Sequence, residues 1–304
     1  MGLENLQNLV TEQQNGKTTQ IDRQSTEEIL AIINEEDQTV PLHIQKEIPS
    51  IAKVVDSVVE SFEAGGRLFY VGAGTSGRIG ILDASECPPT YGTPPEMVKA
   101  IIAGGEPAIF KAVEGAEDSE ELGANDIKQH GVRLHDVVIG ITASGRAPYV
   151  IGALKQAKEL GAKTVSFTCT KDATLNTVAD YKINIEVGPE VITGSTRMKA
   201  GTTQKLVLNM ITTTSMVKIG KVFNNLMVDV QPLNKKLVDR AKRIIQQVTG
   251  CSLDEATALF DSSEGNPKVA IIMYTCQVDA VKAAELLSDA KGFVYKAIKA
   301  YNKN

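Results

Sequence analysis

Two loops of the sequence carry the tripeptide Ser-Gly-Arg directly after a short apolar run that has the pattern of a strand. The first loop follows Leu68–Val71 and the second follows Val137–Ile141. Backbone N–H groups and hydroxyls in such loops converge on an anion when they lie just beyond the end of a strand. We therefore predict that both loops bind phosphate. The candidate residues are Thr75, Ser76, Gly77, Arg78, Ser144, Gly145 and Arg146.

A third polar loop follows the last predicted strand and leads into an apolar helix. Ser195 or Thr196 is expected to cap this helix near Arg197, so that free N–H groups at its positive end face the site. Helix capping alone requires no ligand, but three such loops at one sheet favour a binding site. The candidate residues in this loop are Ser195, Thr196, Arg197 and Lys199.

The first loop also matches the dinucleotide-binding pattern G-x-G-x-x-G, from Gly72 to Gly77. That pattern requires an uninterrupted helix after the glycines and an acidic residue at the end of the next strand. Here Pro88 and Pro89 are predicted to break the helix, and the nearest acid, Glu96, precedes the next strand. The sequence therefore favours a single phosphate over a dinucleotide.

Carboxylates are the leading candidates for acid–base chemistry. The three histidines have no partner at metal-ligand spacing, which argues against a zinc site and against a histidine-dependent hydrolase. Asp83–Pro89 is predicted to be a loop that positions Glu86 before two prolines. In a second acidic loop, spacing alone does not choose among Glu114, Glu117 and Asp118. The residues predict a carboxylate pair, with neither a metal nor an organic cofactor.

Short apolar runs alternate with helical patterns through the middle of the chain, which predicts an α/β fold with a mostly parallel sheet flanked by helices. The predicted strands are Arg67–Val71, Met97–Ala103, Val137–Ile141, Thr164–Thr168 and Ile183–Val187. The clearest helical patterns are Pro49–Glu63, Pro148–Leu160 and Lys199–Ile219. We divide the chain into an N-terminal helical segment (1–50), an α/β domain (51–232) and a small all-helical C-terminal subdomain (233–304).

The composition of the 304 residues is that of a globular protein, with 42 % hydrophobic and 23 % charged residues. A formal net charge of -5 argues against nucleic acid as the main partner and leaves a small anionic molecule to be held by local groups. No apolar run approaches the roughly 20 residues of a membrane span, and the polar N-terminus does not resemble a signal peptide. Four scattered cysteines do not form a disulfide framework. We expect a cytoplasmic protein.

Several longer strings identify a family. They are VGAGTSGRIGILDASECPPTYG (71–92), AVEGAED (112–118), SGRAPYV (144–150), VITGSTRMKAGTTQKLVLNM (191–210) and GKVFNNLMVDV (220–230), with TEQQN (11–15) and IINEED (32–37). Through these strings the chain resembles the N-acetylmuramic acid 6-phosphate etherase family from near residue 10 to the end, most weakly after about residue 240. The resemblance implies a sugar isomerase (SIS) fold, a homodimer, and cleavage of the D-lactyl ether of N-acetylmuramic acid 6-phosphate to N-acetylglucosamine 6-phosphate and D-lactate.

The resemblance also places the two catalytic glutamates of the family at Glu86 and Glu117. In the implied reaction a carboxylate removes the C2 proton of the open-chain sugar, an acid assists the loss of lactate from C3, and water adds back at C3. We expect Glu86 to be the acid and Glu117 the base. The alternative is that a single glutamate serves as both acid and base. An acid must be protonated near neutral pH, so Glu86 is expected in a partly desolvated position. The chain departs from the family's Ser-Gly-Arg-Thr-Pro at Ala147.

Two other functions are alternatives on the same fold. A sugar-phosphate isomerase would also remove the C2 proton but would keep every carbon–oxygen bond. A sugar-phosphate-sensing regulator would bind without catalysis, and one that binds DNA would need a basic face that the N-terminal segment lacks. The apolar helix Leu206–Ile219 is a candidate element of the dimer interface.

Overall fold

The computed structural model of the chain describes residues 9–229 and 235–303. The described residues form two compact units, one from residues 9–85 and 96–212, the other from residues 86–95, 213–229 and 235–303. The predicted boundary between residues 232 and 233 lies outside the described residues, and the one between residues 50 and 51 stays a prediction.

The first unit contains a five-stranded parallel sheet of order β2-β1-β3-β4-β5. The strands are β1 (Leu68–Gly72), β2 (Val98–Ile102), β3 (Val137–Thr142), β4 (Lys163–Thr168) and β5 (Tyr181–Asn184). This sheet confirms the predicted α/β fold. The fifth strand ends earlier than predicted, because β4 ends at Thr168, which pairs with Asn184. Beyond that pair β5 has no parallel ladder to continue, although Ile185 and Val187 are buried.

Helices surround the sheet in the first unit. They are α1 (Thr26–Gln38), α2 (Val40–Glu63), α3 (Gly74–Tyr91), α4 (Pro107–Phe110), α5 (Glu120–Gln129), α6 (Pro148–Glu159) and α7 (Lys199–Lys218). The parts of α3 after Ser85 and of α7 after Thr212 belong to the second unit. The α6 helix packs on β1, β3 and β4, and α5 packs on α6, whereas α2 contacts β3 and β5. The predicted helix from Pro49 begins at Val40 instead, with Pro49 inside it.

Both faces of the central strands are buried, as expected for a parallel sheet covered by helices. Phe69 and Val71 belong to an apolar cluster with Tyr149 and Leu154 of α6. Tyr70 alternates with them and donates from its hydroxyl to Asp83 of α3 at 2.9 Å. The period of two along β1 therefore fixes which helix lies on each face.

The segment predicted to be an acidic loop is helical. The α3 helix runs through Pro88 and Pro89 to Tyr91, so the expected break after the glycines is wrong. Both prolines lie in the last turn, where neither has an N–H to donate to the carbonyl four residues earlier, yet the helix continues for two residues beyond Pro89. Gly92, with φ +60°, then ends the helix and donates its N–H to the Pro88 carbonyl at 2.9 Å.

The second unit is helical over its C-terminal part, which confirms the predicted helical tail. Its helices are α8 (Lys235–Thr249), α9 (Leu253–Ser262), α10 (Pro267–Cys276), α11 (Ala280–Asp289) and α12 (Val294–Tyr301). They share a core that includes Ile245, Phe260 and Ile271. Among the helices described in either unit, none is long and apolar enough to cross a membrane.

The contact between α3 and the sheet predicts the effect of Gly77→Ala. Alanine normally favours a helix over glycine, but a Cβ at Gly77 would lie 2.5 Å from Ile102 Cγ1 and 2.9 Å from the Gly72 carbonyl oxygen. This overpacking is expected to lower the free energy of unfolding by about 1–3 kcal/mol, measured by urea denaturation. Gly16→Ala is the control because nothing lies within 4 Å of its added Cβ. Equal stability of the two variants would contradict the close packing.

Candidate functional site

The turn from β1 to α3 brings the first turn of a helix to the carboxyl end of the sheet. A Cβ at Gly72 would lie 2.7 Å from the Gly77 nitrogen, so the strand end and the helix approach more closely than a side chain allows. Gly74, the first residue of α3, has a φ of +51°, which favours glycine. Thr75 and Ser76 then occupy the first helical turn, where backbone N–H groups have no intrahelical partner.

The loop after β3 lies next to this turn, because β1 and β3 are neighbours in the sheet. Ser144 shares a hydrogen bond of 3.4 Å with the Thr142 hydroxyl and accepts one of 3.4 Å from the Arg146 N–H. Gly145 has a φ of +69°, and a Cβ there would lie 2.2 Å from Ala173 Cβ. The loop conformation thus requires glycine directly after the predicted phosphate-binding serine.

A cavity of about 220 Å³ lies at the carboxyl ends of β1 and β3. We call it the polar cavity. Among the described residues that line it are two carboxylates, Glu12 and Glu117, and no lysine or arginine. The predicted site residues that it brings together are Thr75, Ser76, Ser144, Thr196 and Glu117. Hydroxyls and the first turn of α3 are therefore the groups available to an anion in this cavity.

Glu117 also lines a neighbouring cavity of about 240 Å³, together with Arg78 and Lys111. Its carboxylate keeps access to solvent, but the protein around the two cavities partly desolvates it. This desolvation, with a smaller contribution from the negative charge of Asp118, raises the pKa of Glu117 above the usual glutamate value. Among the three acids that spacing left open, Glu117 is the one that lines the polar cavity.

The third loop differs from the prediction. The α7 helix begins at Lys199, and its N-terminus is capped by the buried carboxylate of Glu190, which accepts from Lys199 N at 2.8 Å and from Ala200 N at 2.9 Å. Burial raises the pKa of Glu190, although the two N–H donors act against this. The expected cap by Ser195 or Thr196 is therefore wrong, and these two N–H groups of α7 are not free for an anion.

Lys199 is committed to another carboxylate. Its buried ammonium lies 2.7 Å from Glu36 Oε2. Burial tends to raise the pKa of Glu36, but hydrogen bonds from Lys199 and Lys17 lower it overall. A buried ion pair of this kind is costly to break from one side only. The structure thus pairs the Lys199 ammonium with Glu36, and a role of Lys199 at the substrate stays a prediction.

Other predicted residues lie outside the polar cavity as the structure describes it. Arg78 donates from Nε to the Ile109 carbonyl at 2.9 Å, and Arg146 Nε is enclosed with no hydrogen-bond partner. Ser195 and Arg197 follow Gly194 but do not line the cavity. Gly77 and Gly145 are required by the backbone packing of their loops. A role of these residues at the substrate stays a prediction.

Glu86 lies on α3 and is exposed to solvent. The expected desolvated position is therefore not present in the single chain. Ser85 before it is also exposed, whereas Cys87 after it is buried, so the solvent-facing side of this helical turn carries Glu86.

Sequence reasoning missed two groups of the site. Thr11 and Glu12, from the N-terminal segment, line the polar cavity, and Glu190 determines where α7 begins. The string TEQQN had only added to the family resemblance. Within the described part of the chain, no three metal-ligating side chains converge.

The sheet and the hydroxyl-rich loops at its carboxyl edge define a SIS-domain protein. The SIS domain family model matches residues 124–214, and the model of the glucokinase regulatory protein N-terminal SIS domain matches residues 50–158. N-acetylmuramic acid 6-phosphate etherase of Bacillus cereus is 56 % identical over 96 % of this chain and 100 % of that protein. N-acetylmuramic acid 6-phosphate etherase 2 of Lactiplantibacillus plantarum is 54 % identical over 97 % and 99 %. The chain belongs to the N-acetylmuramic acid 6-phosphate etherase family.

The capping contact of α7 predicts a loss of stability for Glu190→Ala. Removing the carboxylate leaves two buried N–H groups without their acceptor, which is expected to lower the free energy of unfolding by about 1–3 kcal/mol in urea denaturation. Thr193→Ala, an exposed change in the same loop, serves as the control and should have wild-type stability. A wild-type denaturation curve for Glu190→Ala would show that another group caps α7.

Proposed function

We propose that this chain cleaves the D-lactyl ether of N-acetylmuramic acid 6-phosphate by eliminating lactate and adding water, giving N-acetylglucosamine 6-phosphate and D-lactate. The observation that carries the proposal is the polar cavity, where hydroxyls and a helix N-terminus adjoin a glutamate of raised pKa, in a member of the etherase family. A phosphorylated sugar is a cytoplasmic metabolite, so we place the reaction in the cytoplasm.

The phosphate group is held in this proposal by neutral donors. The hydroxyls of Ser76, Ser144 and Thr196 line the polar cavity, and the first turn of α3 adds its N–H groups and its positive dipole end. Hydrogen bonds from neutral donors to an ionised phosphate are charge-assisted and stronger than neutral pairs. These groups therefore anchor an anion without a lysine or arginine in the cavity lining.

Glu117 serves as the base in the proposed reaction. The aldehyde at C1 of the open-chain sugar makes the C2 proton removable, and the carboxylate of Glu117 takes that proton. Its raised pKa makes it a stronger base than an ordinary glutamate. The C3–oxygen bond then breaks, and the lactyl oxygen takes a proton from the acid. In the second half, water gives a proton back to the ionised acid and its hydroxyl to C3, and Glu117 returns its proton to C2.

Glu86 is the acid in this proposal, on the strength of the family string ASECPP. Glu86 is exposed to solvent in the single chain, and this role requires that it be covered. Bound substrate or a second copy of the chain would supply that cover. A homodimer is supported by apolar side chains exposed on the helices: Leu82 on α3 is 52 % exposed, and Met210 on α7 is 39 % exposed.

A dimer is expected in solution at micromolar concentration, with twice the monomer mass by static light scattering. Met210→Glu places a charge on the exposed part of α7 and should shift the protein toward monomer by at least tenfold in dissociation constant. Leu134→Glu, at another exposed apolar residue, is the control. A wild-type monomer with full activity would contradict the dimer.

The two glutamates are expected to respond differently to substitution. Wild type should release lactate from N-acetylmuramic acid 6-phosphate and exchange the C2 proton in D₂O. Glu117→Gln should lose both reactions, because the base is removed, with a fall in rate of about a hundredfold or more. Glu86→Gln should lose lactate release but keep C2 exchange, followed by NMR.

Other outcomes identify other functions. If Glu86→Gln blocks exchange while Glu117→Gln permits it, the two roles are reversed. Wild-type lactate release by both variants would overturn the catalytic assignment. A wild-type chain that exchanges the C2 proton of sugar phosphates but releases no lactate would be an isomerase, and one that only binds them would be a regulator.

The raised pKa of Glu117 determines the acid limb of the kcat/KM profile. A base acts only when ionised, so kcat/KM should fall as the pH drops through a pKa above the ordinary glutamate value. Asp118→Asn removes the neighbouring negative charge, so the pKa of Glu117 falls and the limb moves to lower pH. Glu114→Gln removes a charge from the same loop and should leave the limb in place. A limb that stays fixed in Asp118→Asn would show that another group controls it.

A further inference from the structure

The N-terminal segment, residues 9–24, has no role in the reaction as proposed, yet two of its residues line the polar cavity. Val10–Glu12 form one 3₁₀ turn. Thr11 within it is only 5 % exposed, and its hydroxyl is enclosed with no hydrogen-bond partner. Buried hydroxyls are nearly always paired, so an unpaired one beside a polar cavity indicates a place where a ligand or water supplies the partner.

The segment is held in a defined position. Asn15 donates to Glu36 Oε2 at 3.0 Å, and the Thr18 hydroxyl donates to the Val191 carbonyl at 2.8 Å. Both side chains are buried. These contacts fasten the segment to the ion pair of Glu36 with Lys199 and to the loop that leads to α7. Glu12 is exposed to solvent and lines the polar cavity from a segment whose backbone these contacts hold in place.

The carboxylate of Glu12 lies beside the loop that contributes Thr196 to the cavity. A Cβ at Gly194 would come within 3.3 Å of Glu12 Oε2, so the glycine leaves room for this carboxylate. Among the described residues, none forms an ion pair with Glu12 or donates a hydrogen bond to its side chain. Its oxygens are therefore available as acceptors to a bound molecule.

The charge of Glu12 limits what it can bind. A second carboxylate in a cavity lined by no lysine or arginine repels a phosphate group, so Glu12 is not a phosphate ligand. Hydroxyl and amide N–H groups are the complementary partners, because an ionised carboxylate only accepts hydrogen bonds. An amino-sugar phosphate carries both kinds of donor, whereas inorganic phosphate has no carbohydrate donors.

We propose that Glu12, with Thr11 beside it, is a specificity-determining residue that accepts hydrogen bonds from hydroxyl or amide donors of the sugar. The identity of the sugar rests on the function proposed above. The inference that Glu12 accepts hydrogen bonds from neutral donors does not rest on it. The segment then discriminates between a sugar phosphate and inorganic phosphate: it strengthens the binding of the sugar phosphate and weakens the binding of the bare anion.

Glu12→Gln tests this by isothermal titration calorimetry with two probes. The variant keeps the size of the side chain but loses the charge and one acceptor. N-acetylglucosamine 6-phosphate should bind about tenfold more weakly, the scale of a hydrogen bond to a charged group. Inorganic phosphate should bind about two- to fivefold more tightly, because the repulsion is removed. Glu27→Gln, the same change on the exposed start of α1, should alter neither affinity.

Kinetics add a second readout. With N-acetylmuramic acid 6-phosphate, Glu12→Gln should raise KM about tenfold with little change in kcat, so that kcat/KM falls. Thr11→Val should also lower kcat/KM. Unchanged affinity for the sugar phosphate would overturn the proposal. An equal loss of affinity for both probes would also overturn it, because it would show that Glu12 has a structural role. If wild type releases no lactate, the proposed function fails, while the two binding measurements still decide the role of Glu12.

Discussion

The close approach of Gly72 to Gly77 is the contact on which the site depends. Because a Cβ at either position would meet backbone atoms within 3 Å, α3 begins almost directly at the end of β1. That short connection sets Thr75 and Ser76 at the carboxyl edge of the sheet, beside the loop that follows β3. The pairing of β1 with β3 then places Ser144 at the same cavity, so sheet order and one tight turn assemble most of the hydroxyls.

The N-termini of α7 and α3 differ in whether a carboxylate of the protein already accepts from their backbone N–H groups. The α7 N-terminus is capped by the Glu190 carboxylate, and the buried Lys199 ammonium is paired with Glu36. The first turn of α3 has no such internal anion among its described contacts, and it faces the polar cavity. A chain of net charge -5 therefore offers an anion a local positive field from backbone dipoles, in a cavity that two carboxylates also line.

The sequence predicted the sheet well, because buried parallel strands are short apolar runs bounded by polar loops. It predicted a break at Pro88 and Pro89 wrongly, since the loss of two N–H donors does not end the helix before Tyr91. Ser76 and Ser144 were predicted to lie just beyond the ends of two strands, and both line the polar cavity, while their contact with phosphate stays a prediction. Glu190 and Glu12 were not predicted as parts of the site, because each contacts a segment whose proximity no local sequence pattern reveals. The ion pair of Lys199 with Glu36 was not predicted either, because Glu36 is far away in sequence.

In the proposed complex, neutral donors at the carboxyl edge of the sheet hold the phosphate of the sugar while Glu117 lies at its C2 carbon. A crystal structure of the Glu117→Gln variant with N-acetylmuramic acid 6-phosphate tests this most directly. The phosphate oxygens should lie within about 3 Å of the Ser76 and Ser144 hydroxyls and of N–H groups in the first turn of α3, with the substituted amide side chain beside C2. A phosphate bound elsewhere, or held chiefly by arginine or lysine side chains, would contradict the account.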